Sequence, residues 1–137
     1  MGTDAKVAID FPAAVLRLAA CHASLADRIA ALTEEWKPET PPPTIIMSAL
    51  GDTLAGAAVG FSGEDLECVF LAVEGLLDSG DEKVKDATAT GLLEALLAQA
   101  SANKVDFTLF AQYLGPQSRR YCREWDRFTG CTTPGLE

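Results

Sequence analysis

Few residues in this sequence are equipped for chemistry. There is one histidine, His22, four cysteines at positions 21, 68, 122 and 131, and 20 Asp and Glu residues. A single histidine excludes any site that needs two. His22 falls at an otherwise apolar position of a helical pattern, and a general base needs a cleft and a nucleophile within reach. Cys21 is its chain neighbour, but adjacent helical residues point about 100° apart, so the pair is not expected to form a dyad. The expected role is a core histidine hydrogen-bonded to a backbone carbonyl or a neighbouring side chain. The cysteines are 47, 54 and 9 residues apart with no C-x-x-C pair, which excludes a zinc ribbon or a thioredoxin-like motif. They read as small buried thiols in a reducing cytoplasm. The carboxylates form no E-x-x-H, H-E-x-x-H or EF-hand pattern, and the sequence has neither a glycine-rich phosphate loop nor a nucleophile elbow. The expectation is a protein that is not an enzyme and holds no metal or cofactor.

The elements that must position these residues come from a chain of 137 residues, the size of one domain. Apolar residues make up 48% of it, enough for a core, while 11 Lys and Arg against 20 acids leave a net charge of −9. Such a balance disfavours binding to nucleic acid or to an anionic membrane surface. Leu18-Ala19-Ala20-Cys21 has the form of a lipoprotein cleavage box, but Asp10, Pro12 and Arg17 interrupt the apolar run that a signal requires. No run reaches transmembrane length.

The periodicities predict an all-α fold: a single-domain bundle of about five to six helices with a long first helix and a proline-rich crossover. Phe11, Val15, Leu18, His22, Leu25, Ile29, Leu32 and Trp36 alternate at spacings of four and three, predicting one continuous helix with Asp10 as N-cap. Residues 37–44 form the crossover. A second helix is expected from Ile45 to Val59, a third from Ser62 to Gly80 with Asp65 completing a capping box, and a fourth over about 82–102 capped by Asp81. Two short helices follow, one over Asp106–Leu114 and one opened by Gly115-Pro116, with Tyr121, Trp125 and Phe128 pinning the last to the core. Residues 1–9 read as an N-terminal extension, 10–130 as the helical domain and 131–137 as a tail. The closing Leu136-Glu137 reads as residues added in cloning.

Charge is unevenly placed. Residues 64–86 carry eight acids against Lys83 and Lys85, two-thirds of the net charge. On a helical wheel Glu64, Glu67, Glu74 and Asp78 share one flank of the third helix with Leu71, and Asp81 and Glu82 follow at its end. That pattern suits a partner-binding surface in which Leu71 is an anchor and the acids steer a basic protein. The last helix carries the opposite charge in Arg119, Arg120, Arg123 and Arg127, which are expected to pair with the domain's own acids.

Gly80-Asp81-Glu82-x-Val84, Leu92-Leu93-Glu94-x-Leu96 and the stretch Tyr113-Leu114-Gly115-Pro116-x-Ser118-x-x-Tyr121-Cys122-x-x-Trp125-Asp126-x-Phe128-x-Gly130 resemble a family of small bacterial helical proteins. These are similar in style to immunity proteins of polymorphic toxin systems. The resemblance spans residues 80–130 and implies a bacterial, interaction-only role with no catalytic residues to transfer. Together, charge and resemblance predict a cytoplasmic, antitoxin-like protein that occludes a cognate basic toxin. The alternative is a homo-oligomeric scaffold or adaptor, its dimer contact the heptad seam of the first helix. A pocket for a small apolar ligand lined by Phe61, Phe70, Phe107 and Phe110 is a third reading.

Overall fold

A computed structural model describes residues 7–57 and 60–136 and is all-α. The helices are α1 (Phe11–Ala19), α2 (Ala23–Trp36), α3 (Pro43–Gly56), α4 (Gly63–Ser79), α5 (Glu82–Ala87), a π-helical segment (Thr88–Leu93), α6 (Glu94–Ser101), α7 (Thr108–Ala111) and α8 (Pro116–Thr129). The expected end of the second helix at Val59 lies outside the described residues.

The long first helix is a correction: it is broken into α1 and α2 at residues 20–22. Nothing in Ala19-Ala20-Cys21-His22-Ala23 forbids a helix, so the break comes from tertiary contacts. His22 takes an extended backbone (φ −163°) and caps α2, its Nδ1 accepting the Ser24 N–H at 3.1 Å. The seam residues still face inward, with Leu18 and Leu25 fully buried and Leu32 nearly so. Phe11, Val15, Ile29 and Trp36 of the same seam are partly buried against that core.

The caps of α4 and α5 form as the sequence predicts. The Ser62 hydroxyl accepts the Asp65 N–H at 3.1 Å while Asp65 accepts the Ser62 N–H at 2.9 Å, and Asp81 accepts the Val84 N–H at 2.8 Å. The start of the chain is tied to the α4–α5 turn, where the Ile9 N–H donates to Ser79 and the Asp81 N–H donates to Ile9, both at 2.9 Å. The expected fourth helix exists, but it widens into a π turn at Thr88–Leu93 where α3 crosses it. This crossing needs two glycines. A Cβ on Gly51 would lie 2.5 Å from the Leu92 carbonyl oxygen, and one on Gly91 2.7 Å from Met47 Cβ.

Three further corrections concern the C-terminal third. The helix expected over Asp106–Leu114 is a single turn, α7. Phe128 is 91% exposed, whereas Tyr121 and Trp125 pack against the core. Leu136, set aside as foreign to the fold, is 4% exposed and belongs to the core. Most of the aromatic residues expected to line a pocket pack together: Phe110 meets Phe70 and Phe107 with ring centroids 5.9 Å apart, and Phe61 stacks on His22, while Phe107 also borders a surface groove.

Candidate functional site

The acidic flank of α4 divides into side chains that hold the fold and side chains that face solvent. Glu74 belongs to the first group. Its carboxylate accepts the N–H groups of Gln117 and Ser118 at 2.9 and 3.0 Å and the buried Ser118 hydroxyl at 2.8 Å. Gly115 and Pro116 leave the first turn of α8 without a capping side chain of its own, so a carboxylate from another helix satisfies the orphan donors and meets the positive end of the helix dipole. A Cβ on Gly115 would come within 2.5 Å of that carboxylate. Asp78 accepts from the Gln117 side-chain amide at 3.1 Å, and Asp81 is spent on capping α5. Glu74 and Asp81 therefore hold neighbouring helices in place, while Asp78 stays exposed on the flank.

The rest of the face is open. Glu64, Glu67 and Glu82 are exposed, and Leu71 is 66% exposed although Val69, Phe70 and Val73 beside it are buried. Leu71 stands on a rigid support, because α4 is capped at its start and its opposite stripe is sunk in the core. What this surface offers chemically is an apolar knob with carboxylates around it.

Two of the α8 arginines reach backbone carbonyls of neighbouring segments. Arg119 donates to the carbonyls of Ala111 and Gly135, and Arg123 donates to the Leu136 carbonyl at 2.7 Å. Asp126 closes the other side, accepting the Thr133 N–H and hydroxyl at 2.8 and 2.6 Å. These bonds dock residues 131–136 onto the bundle. An open groove of about 700 Å³ runs between this tail and the segment following α6, lined by Lys104, Val105, Asp106, Phe107, Cys131 and Pro134 among others.

A second cluster was not legible in the sequence. Cys21 and Cys68 form a disulfide with Cα atoms 5.7 Å apart, correcting the expectation of reduced thiols for this pair. The pair lies next to His22, which stacks on Phe61 at 4.0 Å and places Nε2 3.8 Å from Asp65 Oδ2. A spacing of 47 residues carries no signal by itself; only the antiparallel packing of α1 on α4 brings these cysteines together. Cys122 is a free, fully buried thiol, pushed up to about 12 by burial first and by Asp126 second, and so is unreactive. Among the described residues no group of three or more His, Cys, Asp or Glu side chains is placed to hold a metal ion. No described helix is long and apolar enough to cross a membrane.

The family described as "Domain of unknown function (DUF7674)" matches residues 17–130, well over half of the chain, and the chain belongs to that family. No curated protein and no solved structure is detectably similar to it.

Proposed function

For this DUF7674 domain we propose a non-enzymatic, immunity-type role: it binds one basic toxin domain through the outer face of α4 and blocks that domain's active site by occlusion. The observation that carries this reading is Leu71, two-thirds exposed on a well-fixed helix with Glu64 and Glu67 exposed beside it. An apolar knob ringed by like charges suits an interface in which the anchor supplies affinity and the rim supplies encounter rate. Glu82 and the exposed Asp78 extend the rim, while Glu74 and Asp81 act from behind by fixing α8 and α5. The acidic rim favours a basic partner, and the net charge of −9 disfavours nucleic acid.

The test is neutralisation in a bacterial host. The basic protein captured by the wild type is expressed there alone, with the wild type, and with Leu71→Arg, which keeps α4 intact because the side chain points to solvent. Growth arrest by the captured protein, relieved by the wild type and not by Leu71→Arg, is the expected outcome. A captured protein without toxicity, or equal relief by both variants, overturns the proposal.

A further inference from the structure

The α1–α2 corner meets one short stretch of chain at three points. Phe61 stacks on the His22 ring, Asp65 faces His22 Nε2, and Cys68 is bonded to Cys21. The residue types at 19–23 do not themselves stop a helix: the stretch contains no glycine or proline and three of its five residues are alanine. The two sulfurs differ in access, since Cys21 is 9% exposed whereas Cys68 sits on the solvent side of α4. Thiol–disulfide exchange requires an attacking thiolate to reach a sulfur in line, so only one end of this bond is open to a small reagent.

We propose that Cys21 and Cys68 form a reversible dithiol–disulfide pair that exchanges with small-molecule thiols and disulfides through Cys68, and that its state decides how firmly the α1–α2 corner is closed. Oxidation proceeds in two displacements. The Cys68 thiolate attacks one sulfur of a small disulfide, whose S–S bond breaks to release one thiolate and leave a mixed disulfide on Cys68. The Cys21 thiolate then attacks Cys68 Sγ, the mixed bond breaks, and the second small thiolate leaves. The protein gives up two electrons to the small disulfide, and the two protein thiol protons end on the two released thiols. Reduction by a small thiol reverses both steps, entering at Cys68. This site is independent of the immunity reading and is tested on the protein alone.

The experiment uses glutathione disulfide as the probe on folded protein in a Cys131→Ser background, which removes the other free thiol that is not fully buried. With Cys21→Ser added, Cys68 is expected to accumulate one stable glutathione adduct by mass spectrometry. With Cys68→Ser added instead, Cys21 is expected to stay unmodified under the same conditions. With both cysteines present, the adduct is expected to give way to the internal disulfide. Hydrogen exchange then reads the corner: reduction is expected to speed exchange of the Ser24 and Leu25 amides by about tenfold or more while buried α3 amides such as Leu50 hold. Equal adduct formation at the two cysteines, or reduction only after global unfolding, overturns the proposal, as does a corner with the same exchange in both states. Far-ultraviolet circular dichroism on each variant confirms that it is folded, and a Cys21→Ala, Cys68→Ala double variant supplies the corner's exchange rate without the bond.

Discussion

At the scale of single residues, two acids that look alike in the sequence have opposite physical roles. Glu74 and Glu67 lie seven positions apart on the same helical flank, yet Glu74 is half-buried and accepts three hydrogen bonds from the start of α8, while Glu67 is exposed. Glu74→Ala leaves the buried Ser118 hydroxyl and two amides without their acceptor, so it should cost about 2–3 kcal/mol in urea unfolding. Glu67→Ala should stay within about 0.5 kcal/mol of wild type. Asp65 gives a pH signature. Its bond from the Ser62 N–H is the main cause holding its carboxyl below the ordinary range, with the Ser62 hydroxyl and His22 adding to it against some desolvation. A carboxyl that is more acidic in the folded state contributes stability above its unfolded pKa. That contribution is lost as pH falls through the folded value, because the unfolded chain takes up the proton first. Asp65→Asn should therefore flatten the loss of stability below about pH 4, read from unfolding midpoints against pH.

At the scale of elements, the crossing of α3 over the π segment sets the tightest steric demand. Gly51→Ala or Gly91→Ala would put a methyl inside contact distance of backbone or Cβ atoms and should each destabilise the fold by about 1–3 kcal/mol. Gly56, with open space at its Cβ position, should tolerate alanine or gain from it. Helix content, the caps at Asp10, Ser62 and Asp81, and the core stripe of α4 were legible in the sequence because each rests on residues within one or two turns. The break at residues 20–22 was not, because the heptad pattern continues through it and the forces that interrupt it come from residues 61–68. The same reason hid the role of Glu74, whose partners lie 43 and 44 positions away. Of the candidate surface, the wheel placed Glu64, Glu67 and Leu71 correctly on the outside. It could not tell which neighbouring acids another helix would claim. Phe128 failed for a related reason: its spacing after Tyr121 fits a packed face, but α8 runs past the core before reaching it.

At the scale of the whole molecule, the bundle is closed by its C-terminal tail and presents Leu71 on a supported helix beside exposed acids. Truncation after Gly130 would strip the cover from Arg119 and Asp126 and remove the buried Leu136, whose side chain alone is worth about 1.5–3 kcal/mol. A drop in thermal midpoint for the truncated chain would register this. Binding of a basic partner at the α4 face is tested most directly by calorimetric titration of the isolated partner with wild type and with Leu71→Arg. The expected result is at least about 2 kcal/mol of lost affinity for the variant, close to thirtyfold in Kd, with the fold unchanged by circular dichroism. An equal Kd for the two proteins would contradict it and move the binding surface elsewhere on the molecule.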